Sequence, residues 1–492
     1  MIRKLLGAIV STILLATGLA LVGSMAPVGA QNDELRPMIF VHGGLGSGQQ
    51  FETQALRLTS NGYPPEYIEL FEHNSLTWPG SDTSPEADAA REERWTRIDQ
   101  LVADLQTATG VDQVDILGHS QGTGVVQGYL NSDPARAANI AHYVNLDGGS
   151  GGTVPAAVET LGVWSQNNPD GEIPGATNVH FTDQAHTEVV NSPETFAEIY
   201  EFLTGEAPQF PEVVREPADE IELSGRVQLF PENVGAPNRT LDIFAIDPET
   251  GARLSDTPEA TFEISGDGEW GPFAANGDTF YEFAINLEEF EGEPGGTHHI
   301  YRQPFPRSDR WVHLLTSNPG GLADSFWERS DDRQNITVLR NKEWWGDQGD
   351  NGDTLEINGQ NIVNEATSPR SNSTIGIFVY DSGIDGISDL TAPVAPFGVS
   401  FLTGVDLYIP STDPLGTTGL VANPRVGDGP ESICIPNWPA DTDPSSVQFW
   451  NFHFTLDAEG HSAAGHPNPQ CAPPPQVAEP APAVVTPPVF TG

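Results

Sequence analysis

The stretch that decides the fold is Val111 to Leu130, VDQVDILGHSQGTGVVQGYL. Val114, Ile116 and Leu117 make a short apolar run of the kind a buried strand shows, and Thr123 to Leu130 has the texture of a helix. Between them lies Gly118-His119-Ser120-Gln121-Gly122, a G-x-S-x-G set in the strand-turn-helix context that gives the motif chemical meaning. A serine at such an elbow is held on strained backbone, its hydroxyl raised above the sheet and a helix N-terminus beneath it. Glycines at 118 and 122 follow from crowding, since a side chain at either place would meet the neighbouring strand or helix.

Upstream, Met38 to Val41 (MIFV) reads as a buried strand that opens into His42-Gly43-Gly44-Leu45-Gly46, a loop whose backbone can approach a ligand closely. It lacks the lysine and spacing of a phosphate-binding P-loop. Gly44 N–H and Gln121 N–H are the expected oxyanion-hole donors. Tyr67 to Phe71 is the next strand, and Ala87 to Thr109 a helix with Trp95, Ile98, Val102 and Leu105 on one face. Pro134 to Ala138 reads as helix, Ala141 to Leu146 as a strand ending in Asp147-Gly148-Gly149, and Val179 to Thr182 as the last strand. A second helix starts with Ser192 as N-cap and Pro193 at its first position. Strands alternating with helices predict an α/β fold, a parallel sheet with helices on both faces.

A serine hydroxyl needs a base, and the base an orienting acid. His186, just past the last strand, stands where the base belongs; His42, His119 and His180 read as structural. Three carboxylates compete for the acid: Asp147, Asp170 and Asp183. Strand-end placement favours Asp147.

The N-terminus has the build of a secretion signal: Arg3 and Lys4, an apolar Leu5 to Val22, and small residues up to Ala30. This predicts an exported protein with no retained transmembrane anchor. The whole chain carries a formal net charge of −48, with lysine only at 4 and 342, which disfavours nucleic acid and anionic membranes as partners. Its two cysteines, Cys434 and Cys471, are expected to form one disulfide in an exported chain. From Ile221 to about Gln470 short alternating runs separated by Gly, Pro, Asn and Asp predict an all-β region. The expected organisation is a signal peptide over 1–30, an α/β catalytic domain over 31–212, sandwich-like β domains over 213–316 and 317–475, and a proline-rich tail over 476–492.

The segments GHSQGTGVVQGYLNSDPARAANIAHYVNLDGG and NVHFTDQAHTEVVNSPETFAEIYEFLTG, with the later YEFAI, YRQPF and FVYDSGIDGISDL, resemble archaeal-type secreted lipases that join an α/β-hydrolase domain to a C-terminal β domain. The resemblance spans about 37–410. It implies a serine carboxylic-ester hydrolase acting on acylglycerol or fatty-acyl esters, with Ser120, Asp147 and His186 as nucleophile, acid and base, and Gly44 and Gln121 as oxyanion donors. It implies no cofactor, and a β domain that holds long acyl chains or lipid aggregates. One departure stands out: lidded members carry a long apolar helical insertion where this chain has Glu72 to Arg91, short, polar and acidic.

Other readings compete. The same triad serves a polyester depolymerase or a short-chain esterase. Alternatively, the β half, which holds Trp270, Trp311, Trp327, Trp344, Trp345, Trp438 and Trp450, is a polymer- or carbohydrate-binding module. Asp381 to Asp389 (DSGIDGISD) offers the oxygen ligands a structural Ca²⁺ prefers, and equally suits an aspartate-glycine hairpin.

Overall fold

A computed structural model describes residues 35–471 apart from 81, 327, 395–399, 413, 428, 453 and 464–467. The expected signal peptide, the proline-rich tail and Trp327 therefore lie outside the described residues.

The α/β half is a six-stranded sheet: β1 (Met38–Val41), β2 (Ile68–Phe71), β3 (Val114–His119), β4 (Ile140–Leu146), β5 (Glu159–Trp164) and β6 (Thr177–His180). All pairs are parallel, in the order β2-β1-β3-β4-β5-β6. The order reverses between β1 and β3, and in open parallel sheets the crevice at the carboxyl ends of such strands is where ligands bind. The His-Gly-Gly loop leaves β1 there, and Ser120 leaves β3 there.

The connecting helices are α1 (Glu52–Ser60), α2 (Pro85–Thr109), α3 (Gln121–Ser132), α4 (Pro134–Ala138), α5 (Glu188–Asn191) and α6 (Pro193–Thr204). Local chemistry sets their ends. Ser84 accepts from Ala87 N–H at the start of α2, Pro85 takes its first turn, and Gly110 closes it in the left-handed conformation. Ser192 caps α6 in the same way, and Gly205 ends it. Ile98, Val102 and Leu105 of α2 join Ile39, Ile116 and Tyr143 of the sheet in one core.

Strand β5 was not visible in the sequence pattern, which shows five strands where six exist. Glu159–Trp164 (ETLGVW) is short, carries a central glycine and does not alternate, yet its last five residues are buried between β4 and β6. A strand of this length owes its state to its neighbours rather than to its own propensity.

Past residue 212 the described residues form β-strands with three short 3-10 turns. The main sheet has eight strands, in the order 260–264, 239–246, 280–287, 296–302, 445–448, 336–339, 376–380, 402–406. Four come from each side of residue 316, and the seam is a parallel pair between Gly296–Arg302 and Ser445–Gln448. One end is covered by strands 269–275, 221–229 and 309–316, with Trp270 packed between Phe262 and Phe283. The other is covered by strands 360–361, 354–357, 417–423 and 431–436, with Ile336, Val338 and Val379 facing Leu355, Leu420 and Ile433 in a common core. A disulfide joins Cys434 to Cys471. Trp270, Trp311, Trp344, Trp345 and Trp450 are buried, and Trp438 stacks on His299. Among the described residues no helix is long and apolar enough to cross a membrane.

Candidate active site

Ser120 sits at φ 50°, ψ −120°, a conformation that costs a non-glycine residue energy and that the surrounding structure must impose. What imposes it is visible around the turn. Ser120 N–H donates to Leu146 O of β4, and Thr123 returns its N–H and hydroxyl to Ser120 O at 3.1 and 2.7 Å. A Cβ at Gly122 would run into the carbonyls of Val41 and His42, and one at Gly118 would lie 2.9 Å from Gly122 O. The elbow therefore packs directly beneath the β1 loop. A Cβ at Gly43 would lie 2.9 Å from Ser120 Cβ, and one at Gly44 3.4 Å from the Gln121 side-chain amide, so the loop after β1 lies against Ser120 and Gln121. Gln121 is the first residue of α3, and its N–H has no partner within the helix.

Asp147 closes β4 in a left-handed turn, φ 46°. The turn brings its carboxylate to His186, 2.6 Å from Oδ2 to Nδ1, and to Ser165, whose hydroxyl and N–H donate at 2.6 and 2.9 Å. Asp170 and Asp183 are exposed. Burial pushes the Asp147 carboxyl up, but the bonds from His186 and Ser165 together outweigh it and hold it below the ordinary aspartate value. On His186, burial pulls down while the Asp147 hydrogen bond and charge, joined by the charge of Glu343, pull up. The net is upward.

His119, the elbow residue before Ser120, supports this arrangement from below. Its Nδ1 lies 2.8 Å from Gln50 Nε2 and its Nε2 3.0 Å from His186 O, so the ring accepts from Gln50 and donates to the carbonyl. Burial, then the neighbouring His186, hold its pKa down at about 3, which keeps it neutral. His180 lies on the exposed edge strand and bonds Gly171 O.

His42, at the start of the loop after β1, is buried, stacked on His73 at 4.1 Å and 3.3 Å from Glu72. Glu72 also accepts from Gly48 N–H at 2.8 Å and pairs with His313 at 2.9 Å. Asn233 Nδ2 reaches Gly46 O and His73 O. His313 and Asn233 both belong to the β half, which thus braces the loop. A cavity of about 100 Å³ opens beside that loop, walled by Leu45, Phe230, Leu315, Leu339, Phe378 and Leu402. Phe401, the neighbour of Leu402, has its ring 5.9 Å from that of His186.

Ser165, Glu72, Asn233, Glu343 and Phe401 escaped the sequence reading. Ser165 follows the overlooked β5, and a strand there would have exposed it as a strand-end residue beside Asp147. The other four carry no local signal.

In the Asp381–Asp389 loop, Asp381 pairs with Arg333 and accepts from Gly386 N–H, while Asp389 accepts from Thr391. Among the described residues, the ligand atoms that gather closely enough for an ion are those of Asp457, Glu459 and His461. They share a surface turn in which Asp457 accepts the backbone N–H groups of the other two.

Residues 35–144 match the family model Lipase (class 2), residues 219–319 the model Lipase C-terminal domain, and residues 322–453 a further C-terminal-domain model. No curated protein matches the chain by sequence. Similar solved structures include Aspergillus fumigatus lipase B, 13% identical over 37% of this chain and 55% of that one, with a TM-score of 0.25. Bacillus licheniformis lipase BlEst2 in its propeptide form is 11% identical over 82% and 93%, TM-score 0.26. Legionella pneumophila phospholipase PlaB is 9% identical over 57% and 93%, TM-score 0.26. In chain order, a parallel α/β sheet whose first segment matches the class 2 lipase model is followed by a β region that opens on a match to the lipase C-terminal domain, so the chain is similar in both parts to lipases of this two-part build.

Proposed function

We propose that the protein is an exported serine ester hydrolase that cleaves fatty-acyl esters through an acyl-enzyme. The observation that carries this reading is the 2.6 Å bond between Asp147 and His186 beside the strained elbow serine. In this scheme the Ser120 hydroxyl attacks the ester carbonyl carbon while His186 Nε2 takes its proton, and Asp147 stabilises the imidazolium that results. Negative charge developing on the carbonyl oxygen is met by Gln121 N–H and Gly44 N–H. Collapse of the intermediate expels the alcohol, protonated by His186, and leaves the acyl group on Ser120. A water activated by His186 then releases the acid.

The cavity of about 100 Å³ beside the loop after β1 has apolar walls, which suit a hydrocarbon group of an ester substrate. The burial of five β-half tryptophans counts against their use as a stacking platform for polymers or sugars.

A serine-directed alkyl phosphonate should label Ser120, and Ser120→Ala should abolish both labelling and ester hydrolysis while keeping the thermal transition. Hydrolysis surviving in Ser120→Ala would overturn the assignment. An acyl-length series of p-nitrophenyl esters then separates long-chain from short-chain preference.

A further inference from the structure

We infer that Glu343, contributed by the β half, is a positioning residue for His186: its carboxylate grips the two backbone N–H groups that follow the histidine. This rests on His186 as the base of the proposed reaction. Thr187 N–H donates to Glu343 Oε1 at 2.5 Å and Glu188 N–H to Oε2 at 3.0 Å, so both oxygens of one side chain are spent on consecutive peptide groups. Glu343 is fully buried, and the bonds span 156 and 155 residues of chain. Residues this far apart meet only because the two halves of the molecule are packed together.

The grip is part of a larger anchor. Glu188 pairs with Lys342 at 3.2 Å and with Arg425 at 2.5 Å. Arg425 donates to Glu343 O at 2.7 Å and to Asp353 at 2.6 Å, and Arg340 reaches the same carbonyl and the same carboxylate at 3.1 Å each. Asn191 at the end of α5 bonds Asn341 O. Asn341, Lys342 and Glu343 thus hold Thr187, Glu188 and Asn191 of the segment that follows His186, Arg340 braces the Glu343 carbonyl, and the Phe401 ring lies 5.9 Å from that of His186. Buried charges held this way cost desolvation energy, so their pairing serves geometry more than stability.

A catalytic imidazole must keep its Nε2 within a fraction of an ångström of the line between nucleophile and leaving group. Asp147 fixes one ring nitrogen and His119 the main-chain carbonyl; Glu343 fixes the backbone on the other side. The charged or titratable groups facing His186 are therefore Asp147 from β4, His119 from β3, and Glu343 from the β half, with Glu188 next along α5. Glu343 also acts through its charge. It adds to the upward pull on the imidazole, while burial, resisted by the Thr187 N–H, lifts its own carboxyl above the ordinary glutamate value.

Two substitutions separate reach from charge. Glu343→Asp keeps the charge and withdraws the carboxylate by one methylene; kcat on a soluble ester should fall about tenfold to a hundredfold with KM nearly unchanged. Glu343→Gln keeps the reach but removes the charge and leaves one accepting oxygen for the two N–H groups; the His186 ring titration, followed by NMR, and the acid limb of kcat/KM should both move to lower pH. Less than a tenfold loss in Glu343→Asp, or a wild-type titration in Glu343→Gln, overturns the proposal. Should Glu343→Asp fail to fold, Arg425→Lys decides: it loosens the anchor from the Glu188 side with charge conserved, and a wild-type rate of phosphonate labelling there counts against it. The ring titration needs no turnover, so an unlabelled wild-type Ser120 would sink the hydrolase reading without deciding the role of Glu343.

Discussion

Asp147 and His186, 39 residues apart in sequence, meet at 2.6 Å because a left-handed turn at the end of β4 swings the carboxylate toward the loop after β6. Ser165, at the end of the strand between them, donates its hydroxyl to the same carboxylate oxygen and its N–H to the other.

Asp147→Asn should lower kcat on the order of 10³ to 10⁴-fold, since an amide cannot stabilise the imidazolium and favours the wrong tautomer. Ser165→Ala should cost on the order of tenfold, the rate equivalent of one charge-assisted hydrogen bond. Steady-state kinetics on a soluble p-nitrophenyl ester checks both. A Ser165→Ala loss as large as that of Asp147→Asn would mean that Ser165 does more than orient the carboxylate.

The pH profile follows from the raised His186 value. A base must be neutral to accept a proton, so the acid limb of kcat/KM should lie above the ordinary imidazole value of about 6.5. Asp147→Asn should move the residual activity's limb downward. A wild-type limb at or below the ordinary value would refute the electrostatic account.

Stability should decline with rising pH through Asp309. This carboxyl is buried against Glu52, which in turn is held by Arg302 at 2.9 Å. Burial, then the charge of Glu52, push Asp309 well above the ordinary aspartate value. The folded state therefore keeps a proton that the unfolded chain gives up at about pH 4. The stability it brings is complete below that unfolded value and drains as pH rises through the folded one. Tm should fall from weakly acid to alkaline buffer, and Asp309→Asn, which cannot ionise, should flatten the slope. An unchanged slope in the variant would assign the effect elsewhere.

Rate should rise smoothly through the solubility limit of an ester, without an interfacial jump. Where a lid would stand, Arg91 binds Gly80 O and Asp82 O, and Arg94 binds Asn74 O and Thr77, tying the segment down onto α2. A segment tied down in this way is not free to open and close over Ser120, and lid opening is what produces such a jump. A sharp increase at the limit would show that another segment closes the site.

The elbow was legible because its constraints are local. Gly118 and Gly122 are demanded by backbone packing a few ångströms from Ser120, and the helix ends at Ser84, Ser192, Gly110 and Gly205 are set by hydrogen bonds within one turn. Two cysteines in the chain leave one pairing. The parallel sheet followed from alternating patterns, since a strand-helix rhythm admits few other solutions. Tertiary structure alone decided the rest. Strand β5 exists because β4 and β6 enclose it, and the eight-stranded sheet is continuous because 296–302 meets 445–448, a pairing with no short-range cause. Asn233, His313, Glu343 and Phe401 reach the segments around Gly46, Glu72 and His186 from the β half for the same reason. Side chains that converge across 150 residues or more are placed by the packing of whole sheets, and no local pattern in the chain records that packing.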